Sequence, residues 1–514
     1  MNIQGRPTAP ETAESMSVAT ISGHRGLDHE EKLIFEIGRI TTTGVDLPDT
    51  GLTDNRLDGL ARKDSIGLAG LSEPEAMRHY VRLSQRNASI DASFYPLGSC
   101  TMKHNPRLNE KVARLPGFVD IHPMQPQKTV QGALALIAEL ARWLKELTGM
   151  PAVAMTPKAG AHGELCGLLA IRAAIAARNE NRKCILVPES AHGTNPATAA
   201  LCGFAVETIR ASEDGRVDLA ALKTAIGPHA AGIMLTNPNT CGLFERDMIA
   251  IAEAVHAAGA YFYCDGANFN AIVGRVKPGE LGIDAMHINL HKTFSTPHGG
   301  GGPGAGPVVF SHRLAPFAPL PLFVQDADGF HLIEDMEEAR VSGFTPLGRM
   351  CAFHGQTGLF VRALAYMLSH GADGLRQVAE DAVLSANYIL ASLKDVMSAP
   401  FSGPCMHEAL FDDEFLKDTG VTTLDIAKRL IDEGFHPMTV YFPLVVHGAM
   451  LIEPTETESK AMLDQFITVM RALAAEAKEG KASPFKQAPV LAPRRRLDET
   501  QAARKPLLRW KPNP

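Results

Sequence analysis

Five short apolar runs, separated by helical or loop sequence, constrain this chain more than any other feature. They are KCILVP at 183–188, AGIMLTNP at 231–238, AYFYCDG at 260–266, AMHINLHK at 285–292 and GPVVFSH at 306–312. Runs that stay apolar, instead of alternating with polar residues, describe strands buried on both faces. Stretches such as RDMIAIAEAVHAAG at 246–259 supply helices to cover them. The expected core is therefore an α/β domain around a largely parallel sheet.

Ahead of these runs, TVQGALALIAELARWLKEL at 129–147 places apolar residues at helical spacing, and Gly149 follows as a stop. The first 28 residues are polar and rich in Thr, Ser, Gly and Pro, which reads as a loosely ordered arm. Residues 313–347 carry several prolines, after which GLFVRALAYMLSHG and TVYFPLVVHGAMLIEP supply a helix and further strands. These features divide the chain into an N-terminal arm and extended segment (1–95), a large α/β domain (96–350), a smaller C-terminal α+β domain (351–485) and a proline-rich, basic tail (486–514).

Net charge narrows the partners. With 50 Lys and Arg against 57 Asp and Glu, the formal charge is -7 and shows no basic stripe for nucleic acid or an anionic membrane. No apolar run approaches the roughly 20 residues that span a bilayer, and no secretory leader is visible at the N-terminus. Eight cysteines stand singly without a C-x-x-C pair, so neither a zinc site nor a disulfide framework is indicated, and a reducing cytoplasm is expected.

In a parallel sheet, ligands bind where loops leave the carboxyl ends of the strands, and the unusual polar motifs fall there. Gly160, Ala161, His162 and Gly163 precede a helix, whose free N–H groups suit a phosphate; an ordinary strand-to-helix turn would look the same. His192 in ESAHGTNPATAA could stack on a flat ring, act as acid or base, or satisfy a local carbonyl. Asp265 ends an otherwise apolar strand, where a carboxylate is costly unless a cation or donor meets it. Lys292 follows 27 residues later, one helix-containing crossover on, so the two can end neighbouring strands. That pairing suits pyridoxal phosphate, with the lysine as Schiff base and the acid on the ring nitrogen. The glycines after Lys292 fit neither a P-loop nor a dinucleotide fingerprint, because the lysine precedes them and a strand follows. Gly299–Gly302 instead reads as a loop that moves for a substrate or makes room beside the cofactor.

Taken together, RLSQRNASIDASFYPLGSCTMKHNPR, AGAHGELCGLLAIRAA, SAHGTNPATAA, TNPNTCGLFE, DGANFNAI, NLHKTFSTPHGGGGPG and IEPTETESK closely resemble the P-protein family of the glycine cleavage system, in its subunit 2 form from two-subunit bacterial systems. The similarity runs in order from about residue 30 to Trp510. The resemblance implies pyridoxal phosphate fold type I, the aspartate aminotransferase-like fold. It implies decarboxylation of glycine with transfer of the aminomethyl group to the lipoyl arm of H-protein, and pairing with a homologous subunit 1 as (αβ)2. By the same resemblance Lys292 holds pyridoxal 5'-phosphate covalently, Asp265 holds the pyridinium proton, and His192 stacks over the ring. Ala267 lies beneath the ring, Ala161 and His162 bind phosphate, and Asn237 or Thr240 approaches the phenolic oxygen. GQTG at 355–358 and SGFTPLGRM at 342–350 depart from the family's wording, which bears on subunit contacts or loop shape.

Two other readings compete. One is an amino acid decarboxylase or aminotransferase of the same fold, which needs no H-protein. The other is a noncatalytic assembly subunit with a vestigial site.

Overall fold

The computed structural model describes residues 31–509 apart from 43, 45–47, 50, 52–55, 58, 65, 69, 123, 299–303 and 493–494. The expected N-terminal arm over the first 28 residues and the Gly299–Gly302 loop lie outside the described residues.

The chain divides into two units, one made of Met1–Ser93, Lys428–Phe435 and Ser483–Pro514, the other of Phe94–Ala427 and His436–Ala482. In the first, the helix Glu73–Gln85 starts at Ser72, whose backbone N–H and hydroxyl both donate to the Glu75 carboxylate at 3.0 and 2.6 Å. Glu31 receives His79 Nδ1 at 2.8 Å and Arg82 Nε at 2.5 Å on that helix. Asp432 receives the backbone N–H groups of Val490 and Leu491 at 2.8 and 2.6 Å, which fastens the C-terminal segment within this unit.

The second unit holds the sheet that the apolar runs predict. Its strands are β1 (Ala152–Ala154), β2 (Cys184–Pro188), β3 (Ala205–Ile209), β4 (Ala230–Thr236), β5 (Tyr261–Asp265), β6 (Ala285–His287) and β7 (Val308–Phe310). They lie in the order β1-β7-β6-β5-β4-β2-β3, and β7 runs antiparallel to both of its neighbours while the remaining pairs are parallel. Successive residues of a strand point to opposite faces, and β5 shows the consequence. Phe262 and Cys264 enter one apolar core with helices α1 (Gln131–Thr148) and α4 (Met248–Ala257), whereas Tyr261 and Tyr263 enter the other with α2 (Gly160–Ala177). Both faces are covered, which is why the strand sequences carry no polar alternation.

Two expectations need correction. The run AMHINLHK is not strand to its end: β6 stops at His287, Asn289 caps the next helix while still extended at φ -79° and ψ 104°, and Lys292 sits on the one-turn helix α5 (Leu290–Thr293). The crossover from β5 to β6 carries only the 3-10 turns Phe269–Ala271 and Pro278–Leu281, because Gly274 at φ +70° and Pro278 leave no room for an α-helix.

Beyond the large sheet, β8 (Leu322–Asp326) and β9 (Gly329–Ile333) form a hairpin, and a small antiparallel sheet has the order β10-β12-β11 (Ala409–Phe411, Met450–Ile452, Thr439–Val440). Helix α6 (Thr357–Leu393) joins the two regions. Gly371 interrupts it at φ +64° and ψ -176°, a conformation that glycine adopts without a Cβ penalty. Leu359, Phe360 and Met367 before the break and Leu375, Val378 and Ala379 after it belong to the large core, and the helix also packs on β10 and on α7 (Lys460–Lys478). Among the described residues no helix is long and apolar enough to cross a membrane.

Gly266 is where β5 and β6 come closest at their carboxyl ends: a Cβ there would lie 1.9 Å from the His287 carbonyl oxygen. Gly266→Ala must therefore push the two strand ends apart, and urea unfolding should show a loss of about 1–3 kcal/mol.

Candidate functional site

The carboxyl ends of β4, β5 and β6 and the start of α2 surround a cavity of ≈ 150 Å³. A larger groove of ≈ 500 Å³ is lined by Phe244, Ile272, Val276, Val383 and Met406 and offers the exposed ion pair Arg275–Glu380, at 3.1 Å. It presents neither a nucleophile nor a buried acid, whereas the smaller cavity presents both. Chemistry belongs to the smaller one.

Asp265 is the last residue of β5 and is 3% exposed. Its Oδ1 receives the Ala267 N–H at 2.9 Å, its Oδ2 receives Asn195 Nδ2 at 3.0 Å, and His287 Nε2 lies 3.3 Å from Oδ1. Burial opposes the charge, but His287, the Asn195 amide, the Ala267 N–H and the Lys292 cation outweigh it and hold the carboxyl below the usual range. Behind it, the Tyr263 hydroxyl donates to His287 Nδ1 at 2.6 Å. Burial keeps the phenol protonated and the imidazole neutral, so the donor order Tyr263, His287, Asp265 is fixed. Asp265 is thus an ionised acceptor aimed into the cavity.

Lys292 also lines the cavity, and its Nζ donates to the Ser99 carbonyl at 2.6 Å. Ser99 and Thr101 hold φ of +67° and +46°, a strained turn that needs external support. Two buried carboxylates give it. Glu408 receives the Ser99 N–H at 2.6 Å, and Glu453 receives the N–H groups of Cys100 and Thr101 at 3.1 and 2.9 Å and the Thr101 hydroxyl at 2.5 Å. Burial first, and then the Glu453 charge, push the Glu408 carboxyl well up, so the pair carries a single negative charge.

A second lysine fixes the same region without entering the cavity. Lys103, 4% exposed, donates to Glu456 Oε1 at 2.7 Å, Thr293 O at 2.8 Å, Asn270 Oδ1 at 2.9 Å and the Tyr366 hydroxyl at 3.2 Å. Burial holds its affinity for the proton below that of an ordinary lysine, and the Glu456 charge offsets only part of that. One ammonium therefore ties the residue next to Lys292, the turn after Asp265, helix α6 and the loop after β12.

Of the residues the sequence singled out, Lys292, Asp265, His192, Ala161, Ala267 and Thr240 all line this cavity. The Thr240 hydroxyl is engaged with the Ser190 carbonyl. His162 does not line it; its Nδ1 receives the Lys158 N–H at 3.2 Å, so only its backbone faces the start of α2. Asn237 also stands back from the cavity, and its Oδ1 receives the Glu245 N–H at 3.0 Å. Sequence reading missed Ser99, Glu164, Thr194, Thr236, His287 and Asn289, which complete the lining. His287 and Asn289 were open to detection, being polar residues inside a run read as strand.

The cavity suits pyridoxal phosphate by the chemistry of its donors. It brings an ionised acid, a primary amine and the His192 imidazole into one lining, and the first N–H groups of the 18-residue α2 have no carbonyl partner within the helix. Thr236 Oγ1 and Asn289 Oδ1 are buried in the lining without a hydrogen-bond partner, so polar ligand atoms have acceptors and donors to meet.

Comparison with known proteins bears on the same residues. The family model for the glycine dehydrogenase C-terminal domain matches residues 378–492, and that for class-V aminotransferases matches residues 165–302. A Caulobacter vibrioides protein described as "Probable glycine dehydrogenase (decarboxylating) subunit 2" is 70% identical over 100% of this chain and 98% of its own length. Its counterpart in Bacillus cytotoxicus is 48% identical over 95% of this chain and 99% of its own length. A crystal structure of glycine decarboxylase (P-protein) of the glycine cleavage system, in inhibitor-bound form, superposes with a TM-score of 0.65 at 22% identity, covering 80% of this chain and 92% of that one, and agrees in fold.

The Lys103–Glu456 pair yields a stability prediction. Lys103→Met leaves a largely buried carboxylate without its cation and should cost about 3–5 kcal/mol in urea unfolding. Adding Glu456→Gln should recover part of that loss; fully additive losses would mean the pair does not act as a unit.

Proposed function

Because the chain belongs to the glycine dehydrogenase (decarboxylating) subunit 2 family, we propose that this cavity binds pyridoxal 5'-phosphate and decarboxylates glycine within the glycine cleavage system. The observation that carries the reading is that an ionised Asp265 and the Lys292 amine line one cavity.

When bound, the cofactor supplies an electron sink for the pair released as the C–CO2 bond of glycine breaks. The chain's residues prepare that chemistry. Lys292 would hold the cofactor covalently through its amine. Asp265, kept ionised by its three hydrogen-bonding neighbours, would retain a proton on the ring nitrogen. His192 and Ala267 would hold the ring. The α2 N-terminus at Ala161 and His162 would take the phosphate through its backbone N–H groups, and Thr240, which lines the cavity where Asn237 does not, would meet the phenolic oxygen.

The subunit 2 description implies a partner subunit 1. We propose an (αβ)2 assembly and, as second partner, lipoylated H-protein, whose disulfide takes up the aminomethyl group and two electrons as CO2 leaves. The eight cysteines are all free, which supports a cytoplasmic setting.

Exchange of labelled bicarbonate into glycine tests the reaction. Activity should require this chain, subunit 1 and lipoylated H-protein together. Asp265→Asn should lower it at least about 100-fold with the assembly intact. Turnover without H-protein would favour another decarboxylase or an aminotransferase, and undiminished exchange in Lys292→Ala would favour a noncatalytic role.

A further inference from the structure

The ring of His192 faces the cavity with one nitrogen, while its other nitrogen is held by a chain of hydroxyl and carboxyl groups leading away from it. Nδ1 lies 2.8 Å from Thr194 Oγ1 and receives the Thr194 N–H at 3.2 Å. Thr194 Oγ1 lies 2.7 Å from Glu164 Oε1, and the Thr198 hydroxyl lies 3.1 Å from Glu164 Oε2. Glu164 is 3% exposed on α2, and both threonines sit on helix α3 (Thr194–Leu201).

A threonine hydroxyl has a single proton, and Thr194 makes two short contacts. With the Glu164 proton either on Oε1 or absent, two arrangements satisfy both. If Glu164 is protonated, it donates to Thr194 Oγ1, Thr194 donates to His192 Nδ1, and the imidazole carries its hydrogen on Nε2. The Thr194 N–H bond to Nδ1 is then also satisfied. If Glu164 is ionised, Thr194 must donate to it, His192 must donate from Nδ1 to Thr194 Oγ1, and Nε2 is left as a bare acceptor. The second arrangement gives up only the 3.2 Å bond from the Thr194 N–H.

From this geometry we infer that Glu164 is a positioning residue, which selects the tautomer of His192 through the Thr194 hydroxyl and so decides whether Nε2 is a donor or an acceptor. Its catalytic meaning rests on His192 holding the cofactor ring, as proposed above; the hydrogen-bond coupling does not.

Glu164 is suited to switch. Burial first, and then repulsion from Asp265, push its carboxyl up to about 7. The charged and titratable groups around the chain are Asp265 at the end of β5, Tyr263 on β5, His287 on β6 and Lys292 on α5. Tyr263 stays protonated and Asp265 ionised near neutrality, and burial lowers His192 itself, so the imidazole remains neutral while Glu164 titrates. Protonated Glu164 prevails below its titration point and gives the Nε2–H form; the ionised carboxylate prevails above it and gives the Nδ1–H form.

Nitrogen NMR of histidine-labelled protein distinguishes the tautomers, with His192 assigned from a His192→Gln sample and the chain held in its assembly with subunit 1, free of glycine. Between about pH 6 and about pH 8 the wild-type His192 signals should exchange Nε2–H for Nδ1–H character. Glu164→Gln should abolish that change, whichever way its amide is turned. Thr194→Val, close in shape and suited to retain the fold, should hold the Nε2–H form at every pH, and Thr194→Ser should restore the wild-type response. A single tautomer throughout in wild type, or an unchanged pH response in Glu164→Gln or Thr194→Val, overturns the inference. Failure of the cofactor to attach to Lys292 would instead overturn the proposed function and leave the coupling standing.

Discussion

A carboxylate buried at the end of an apolar strand is the constraint on which this site depends. Asp265 has lost nearly all contact with water, and an isolated ion there would take up a proton. Two donors and a histidine prevent it: the Ala267 N–H, the Asn195 amide and His287, itself oriented by Tyr263. Each comes from a different element, so the charge exists only when β5, β6 and α3 are assembled. Small residues make the assembly possible. Gly266 lets β5 pass the His287 carbonyl, and Gly167 faces the Tyr263 ring, where a Cβ would lie 2.4 Å from it.

Lys292 shares the cavity with that charge, and its position is secured by residues far from it in the chain. The Ser99 carbonyl that receives its Nζ belongs to a turn with two residues at positive φ, and Glu408 and Glu453 hold that turn from β10 and the end of β12. The small sheet therefore takes part in placing the lysine, although it contributes neither the nucleophile nor the acid. Lys103 adds a third link, joining Thr293 to the loop after β12. A substitution in the small domain can thus disturb the site without touching the cavity.

The parts of this arrangement that are local in sequence were legible, and the rest were not. Strands β2, β4, β5 and β7 announce themselves as apolar runs, Asp265 stands out as a carboxylate at a strand's end, and Lys292 as a lone lysine closing a run that reads as strand. The supports of Lys292 lie 193 residues away at Ser99, and Ser99 in turn rests on Glu408 a further 309 residues along. No periodicity connects such positions. Lys103 reads in sequence as a solvated lysine, and only the fold reveals four partners around its ammonium. Glu164 looks like an ordinary polar residue at a helix start until Thr194 is seen to bridge it to His192. The strand that was read through to Lys292 stops at His287, with Asn289 capping the one-turn helix that carries the lysine, and the crossover predicted to be helical is broken by Gly274 and Pro278. Asn237 and His162 show the opposite limit: a matching motif places a residue near the site but does not say whether its side chain or its backbone faces the cavity.

The central claim is that Lys292 and Asp265 hold one pyridoxal phosphate in the cavity that both line. Borohydride reduction of the cofactor-loaded protein, followed by peptide mass mapping, tests it most directly. The account predicts loss of the visible absorbance and a single pyridoxyl group on the peptide containing Lys292. Label on Lys103 or on a surface lysine, with Lys292 unmodified, would contradict it.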